Sequence, residues 1–353
     1  MSLELTQQQP AVESLPKMLT RPGGQQPSGG WLVGPWFDIL FLANVGWVVL
    51  FLAALCIGGE GQSRIQFWQI YFVTTPHRWI TLGLVFLDSD RFLQRKFLYS
   101  GLAVGFITLC LGVQLATGQL TCLLMIDYVW NAWHFSAQHH GIYRIYERCG
   151  AYSSGGPMAW LEKWFFRGFL LYVIFRVAGA SWGSPDTERW LESMDVLSLV
   201  IPCGLIVREF YKTEWRRTGG TYYLLSVLGL YSSLLWAVYT GQMGIALLLT
   251  TLSALFHATE YLAIVSWSVQ QRARVQGQRM GILGWLAPRW GFVIGVYLVI
   301  LGSTGWMIEQ GWFEAWLLLN VIVAFLHYAY DGLLWRRGRS SPTTVSSSGA
   351  SSV

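Results

Sequence analysis

Ten stretches of predominantly apolar residues, separated by short polar turns, divide the chain, and about 20 such residues is the length a helix needs to cross a bilayer. They run over approximately residues 36–57, 65–87, 97–116, 119–140, 164–180, 190–211, 221–239, 243–267, 290–308 and 312–335. The pattern predicts an all-α fold, a polytopic integral membrane helical bundle of about ten transmembrane helices over residues 31–337. The fifth stretch is short, and the sixth carries Glu192, Asp195 and Pro202. Residues 1–30 are polar, contain Glu4 and Glu13 and lack the apolar core of a signal peptide, so they are expected to form a disordered tail. Residues 338–353 are Ser/Thr-rich and are expected to behave likewise.

Basic residues give the stretches a direction, because loops rich in Lys and Arg stay in the cytoplasm. With the N-terminus inside, the inner segments hold 20 of the 24 Lys and Arg residues. Arg64 and Arg189 fall outside, and Arg78 and Arg176 fall within spans. An odd number of helices would flip every later loop and destroy that alternation, so both tails are expected to be cytoplasmic. Topology then accounts for the net charge of +5, and no nucleic-acid partner is called for.

Polar residues inside the stretches carry the chemical information, since ionisable side chains at membrane depth are costly and mark function. All six histidines fall inside or at the end of apolar stretches: His77, His134, His139, His140, His257 and His327. The second, fourth, eighth and tenth stretches all enter from the outer side. Counted from that side, His77 lies about 12 residues deep, His257 about 14, and His134 and His327 about 15, roughly 18–22 Å at 1.5 Å per residue. Four imidazoles from four helices thus share one level. At 100° per residue each sits on its own helix's polar stripe. The stripes are Gln66, Thr74, His77, Thr81 and Asp88; Asp127, Asn131, His134 and Gln138; Thr250, Ser253, His257, Glu260 and Tyr261; and Asn320, His327 and Asp331. Such stripes face protein or water rather than lipid, so the four are expected to converge. His139 and His140 stand about 140° and 240° around the helix from His134. Either the helix bends before Gly141 or these two serve elsewhere, as interfacial histidines near the cytoplasmic end.

Composition agrees with a membrane protein and narrows the chemistry. Hydrophobic residues make up 53% and charged residues 12%, with a mean hydropathy of +0.41. The five cysteines show no CxxC pair and lie mostly in apolar runs, which indicates neither a disulfide framework nor a zinc finger. Neutral imidazoles are ligands for Fe, Zn or Cu, and Glu260, Asp331 and Asp127 add oxygen donors or partners that fix the imidazole tautomer. A divalent transition metal would satisfy the imidazoles and the carboxylates together. His77, His134, His257 and His327 are the leading ligands, with His139 and His140 as further candidates; one or two ions are both compatible with the set. Arg78, next to His77, needs an anion, which Asp127, Glu260 or Asp331 would supply, or else it snorkels inward. Tyr261, Tyr328 and Tyr330 lie near the same level.

The segments TTPHRW, WNAWHFSAQHHGI, FHATEYLAIV and LHYAYDGLLWRR place one or more histidines on each of several spans. In this layout the chain resembles the histidine-cluster polytopic membrane metalloenzymes, and within them it is most similar to the Brp/Blh-type carotenoid-cleaving oxygenases. The HxxxH and HxxHH boxes of desaturases and hydroxylases are absent. The resemblance implies iron held by His77, His134, His257 and His327. It implies an oxidoreductase or oxygenase acting within the bilayer on a lipophilic substrate, such as an isoprenoid, a carotenoid or a fatty-acyl chain, in a bacterial inner (plasma) membrane. The rival expectation is a proton- or cation-coupled transporter that uses Asp127, His134, Glu260, His327 and Asp331. Against it, no internal repeat is visible, and the polar residues gather at one level instead of tracing a path.

Overall fold

The computed structural model describes residues 30–149, 157–179, 185–212 and 218–335; apart from residue 30, both expected tails lie outside the described residues. Among the described residues the secondary structure is entirely helical. The helices are α1 (Pro35–Phe37), α2 (Gly46–Ile57), α3 (Gly59–Trp68), α4 (Thr75–Phe86), α5 (Ser89–Gln94), α6 (Lys96–Thr117), α7 (Thr121–Cys149), α8 (Pro157–Ala178), α9 (Pro185–Ser198), α10 (Val200–Lys212), α11 (Thr218–Tyr239), α12 (Met243–Gln276), α13 (Ile282–Leu286), α14 (Trp290–Gly311) and α15 (Phe313–Leu334). A π-helical segment, Asp38–Leu42, follows α1, and a second, Gln69–Thr74, joins α3 to α4.

Among the described residues the apolar stretches fall mostly on helix, and six helical segments there are long and apolar enough to cross a membrane: Lys96–Thr117, Glu188–Tyr211, Gly219–Tyr239, Met243–Gln276, Ile282–Gly311 and Phe313–Leu334. A seventh is added if the pair Pro35–Leu42 and Gly46–Ile57, bent by 49°, counts as one span. Helix α7, with 29 residues, reaches about 44 Å and is long enough, but its polar residues keep it out of that set. The same holds for the helical run 59–86 that carries His77. Apolar side chains on the outer helices are widely exposed, among them Phe97, Val104 and Leu115 on α6 and Phe292, Val299 and Ile300 on α14. Lipid is the solvent that suits such surfaces.

Local breaks have local causes. The Asp38 carboxylate accepts the backbone N–H groups of Leu32, Val33 and Gly34 at 2.6, 3.0 and 3.3 Å, fixing the chain that leads into the first span. In the sixth stretch the helix interrupts at Leu199, between α9 and α10, three residues before Pro202, whose missing N–H cannot bond back across that point. Asp195, the charge that made this stretch an awkward span, is neutralised by Arg176 of α8 at 3.0 Å. Helix α8 is pinned at its other end by an ion pair between Glu162 and Arg208 of α10.

Helix α12 runs through the middle of the bundle, with its face from Ala246 to Arg272 largely buried. Three apolar clusters surround it. One joins α2, α7, α8, α11 and α12 through residues such as Trp47, Phe166, Tyr231 and Phe256. A second joins α4, α6, α7 and α15 through Val85, Tyr99, Leu123 and Phe325. A third joins α4, α12, α13 and α14 through Leu84, Val265, Leu283 and Trp290. Helices α4, α7, α12 and α15 meet where these clusters adjoin, and these four carry all six histidines.

Helix α14 packs against the π segment at Gly302, where an added Cβ would lie 2.6 Å from Phe72 Cδ1 and 2.9 Å from the Tyr71 carbonyl oxygen. A backbone atom cannot move aside cheaply, so Gly302→Ala is expected to destabilise the fold by about 1–3 kcal/mol. Gly291→Ala on the same helix, with nothing within 4 Å of the new Cβ, is expected to change little. Thermal unfolding of both variants in detergent checks this; equal midpoints would contradict the close approach.

Candidate metal centre

The helical run that carries His77 is not a plain α-helix. Its π segment adds a residue to one turn, which moves Gln66 off the inner face and leaves it exposed while Gln69 is buried. Gln69 Nε2 donates to Thr74 Oγ1, and the Thr74 carbonyl oxygen accepts from His77 Nδ1. A carbonyl only accepts, so His77 Nδ1 carries the proton and Nε2 holds a free lone pair.

His327 on α15 is likewise held through its Nδ1, here by a hydroxyl that can donate or accept. Its Nδ1 lies 2.7 Å from the Thr81 hydroxyl of α4, which is itself 2.8 Å from the Tyr261 hydroxyl of α12. On the same side, Trp335 Nε1 donates to Asp331 Oδ1 at 2.5 Å. The Asp331 carboxylate stands 3.8 Å from Nδ1 of His134 on α7. Thus each of the three rings turns Nδ1 towards an oxygen, and His327 Nε2 and His134 Nε2 share a hydrogen bond at 3.1 Å, so one of the two carries a proton.

Four rings close a circuit. Ring centres are 5.3 Å apart for His77 and His257, 5.0 Å for His257 and His134, 4.7 Å for His134 and His327, and 5.0 Å for His327 and His77, each pair edge to face. His257 on α12 is fully buried, and neither of its ring nitrogens has a hydrogen-bond partner. Phe135 stacks on it at 3.8 Å. An unsatisfied buried polar group costs about 1–3 kcal/mol, so this ring is held where it loses energy unless something binds it.

His139 joins the cluster despite its angular offset. Its ring centre is 5.9 Å from that of His257, and its Nδ1 is 2.9 Å from Glu260 Oε1 and 3.1 Å from the Tyr223 hydroxyl of α11. Glu260 also accepts from Gln138 Nε2 at 2.7 Å and from the Tyr223 hydroxyl at 2.9 Å. His139, His257 and Glu260, all buried, offer ligand atoms within 4.8 Å of one another, and this group could hold a metal ion. Helix α7 therefore works with a broad face and not a narrow stripe. His134, Gln138, Phe135 and His139 fan over about 140° around the side chain of His257.

The remaining candidates separate. His140 turns away, with its ring 5.8 Å from Phe166 of α8 and its Nε2 unpartnered. Asp127 is one side chain removed from the imidazoles. It accepts from the Tyr328 hydroxyl at 2.9 Å and lies 3.9 Å from Arg78, whose guanidinium stands 6.0 Å from the Tyr328 ring centre. Arg78 thereby takes Asp127, out of the three carboxylates, as its anion. Tyr330 points elsewhere and donates to the Tyr99 carbonyl. Thr81, Tyr223 and Tyr231, the last with its hydroxyl 3.5 Å from His139 Nε2, hold the cluster in place without standing out in the sequence. Thr81 was only part of a stripe, and the two tyrosines lie on α11, which bears no histidine.

Comparison of the chain with protein-family models, with curated proteins and with solved structures found no match in any of the three. The class is thus defined by the molecule itself: a helical bundle with several spans apolar enough for a membrane and a buried cluster of five histidines and a glutamate.

Proposed function

We propose that the protein is a membrane-embedded, metal-dependent oxidoreductase whose ion is held by His77, His134, His257 and His327. The observation that carries this is His257, buried as one member of a circuit of imidazoles with both nitrogens unpartnered. Two further features support it. Metal-bound histidines typically direct the other ring nitrogen to an oxygen, as His77, His327 and His134 do. Two nitrogens bound to one ion at roughly 2.0–2.1 Å lie about 2.8–3.4 Å apart at bond angles near 90–110°, and the two Nε2 atoms of His134 and His327, which share a hydrogen bond that an ion would replace, are 3.1 Å apart.

Iron is the ion we favour, since nitrogen-rich sites with nearby carboxylates suit it, although Zn or Cu have overlapping preferences. Bound there, iron would supply oxygen and one-electron chemistry. The chain's own groups orient the ligands: the Thr74 carbonyl fixes the tautomer of His77, the Thr81 hydroxyl holds the ring of His327, Asp331 faces the ring of His134, and Phe135 and Phe256 wall the cluster with apolar surface. A site at this depth, among helices with lipid-compatible outer faces, favours a lipophilic substrate of the isoprenoid, carotenoid or fatty-acyl type. We further propose ten spans with both ends cytoplasmic, in a bacterial inner membrane, on the strength of the Lys and Arg distribution.

Two measurements test this together. Detergent-purified full-length protein is expected to carry stoichiometric transition metal, absent from a variant with all four histidines replaced by glutamine. Membranes containing the wild-type chain are expected to yield oxygen-dependent lipid products, visible by mass spectrometry, that the variant does not make. Equal metal in the two samples, or none in either, would sink the reading.

A further inference from the structure

The ligand geometry divides the cluster into two groups that share one ring, and we infer that the centre binds two ions, with His257 between them. The inference rests on the metal reading above. One ion is assigned to His77, His134 and His327; the second to His139 and Glu260, with His257 contributing one nitrogen to each.

The first observation concerns His257 alone. A neutral imidazole has one lone pair and one N–H, so a single ion satisfies one nitrogen and leaves the other as a buried, unpartnered donor. Both nitrogens are orphaned. Two ions, one on each side, satisfy both. As the second ion binds, the remaining ring proton leaves to the buffer and the new metal–nitrogen bond takes its place, in keeping with the proton release that accompanies metal binding.

The second observation is the division of the neighbours. Two atoms bound to the same ion at roughly 2.1 Å are at most about 4.2 Å apart. His139 lies five residues beyond His134 on α7, about 7.5 Å along the axis and turned by about 140°, so the two rings diverge. Both nevertheless meet the ring of His257, at 5.0 and 5.9 Å between centres. On the His139 side the acceptor is anionic: Glu260 lies 2.9 Å from His139 Nδ1 and is oriented by Gln138 and Tyr223. Its ligand atom and those of His139 and His257 lie within 4.8 Å of one another, so the three close by at least about 0.6 Å, and by more than about 1 Å at ordinary bond angles, to share an ion. On the other side the donors are imidazoles, and His134 Nε2 and His327 Nε2, 3.1 Å apart, share a hydrogen bond whose proton an ion would displace to the buffer. The two places differ in charge as well as position.

Loading of the full-length apo-protein in detergent with Zn(II), followed by gel filtration and metal analysis, tests this. About two ions per chain are expected for the wild type, and about one for Glu260→Gln, for His139→Gln and for the double variant His134→Gln/His327→Gln. Each variant is first checked for native helicity and elution volume. Because a variant can still misfold, the wild type is also loaded with Co(II), whose magnetic resonance signal per ion is expected to fall as the second equivalent binds beside the first. One ion in the wild type, a signal that grows linearly through two equivalents, or two ions retained in Glu260→Gln and His139→Gln would overturn the second site while leaving the metal reading intact. No bound ion in the wild type would remove both.

Discussion

Purified His257→Gln protein is expected to lose metal more completely than any other single histidine variant. The ring is wholly buried, touches His77, His134 and His139, and contributes two nitrogens with no other partner. Removing a group that merely orients a ligand costs 10–100-fold in metal affinity. Removing this ligand should cost at least about 100-fold, roughly 2.7 kcal/mol or more. Glutamine is of similar size and polarity, which limits the disturbance to Phe135, the ring stacked on His257. His140→Gln serves as the control. Its ring packs on Phe166, and wild-type metal content is expected. Metal analysis after dialysis against a weak chelator separates the two. Retention of metal by His257→Gln, or equal losses in both variants, would contradict the central place given to this residue.

Asp88→Asn is expected to cause the largest loss of stability away from the histidines. Asp88 is buried at the junction of α4 and α5, where its carboxylate pairs with Arg272 near the end of α12 and lies 3.6 Å from Arg91. Arg272 is itself buried and also donates to Gln276 at 3.1 and 2.8 Å. Asparagine retains the shape and still caps the Arg91 N–H that Asp88 accepts at 3.2 Å, so the substitution isolates the charge. It leaves two guanidinium groups around an uncharged amide in a buried site, with the partly exposed Asp90, 3.6 Å from Arg272, as the carboxylate that remains nearby. Breaking such a pair costs about 3–5 kcal/mol, whereas replacing both partners by apolar residues is often neutral. Asp88→Asn should therefore unfold at much lower denaturant or temperature, and Asp88→Leu/Arg272→Met should recover most of the loss. A single variant as stable as wild type would show that the charges are solvated.

How far these features could be read from the chain depends on what fixes each one. The convergence of His77, His134, His257 and His327 was legible because apolar spacing fixes depth and the helical period fixes the face. The same arithmetic misplaced Gln66, since a π turn at Gln69–Thr74 resets the angle and no residue type in that run announces it. It also left His139 undecided. Treating each helix as a narrow stripe aimed at a point made 140° seem too far, whereas α7 lies against α12 closely enough for a broad face to engage one ring. The partners Tyr223 and Tyr231 were illegible for a different reason. Periodicity tells which side of a helix is turned inward but not which helix stands opposite, and α11 announces itself only as apolar. Asp195 looked like an obstacle to a span because its neutralising arginine lies on another helix.

Helix α7 supplies His134 and His139 from a single uninterrupted rod, and this gives the cluster a built-in ruler. Distances between residues on different helices shift whenever the bundle breathes or its lipid surroundings change in thickness. The axial offset of these two, about 7.5 Å, does not. A one-residue insertion or deletion between them would rotate one by 100° relative to the other and take it out of reach of α12, however well the remaining helices packed.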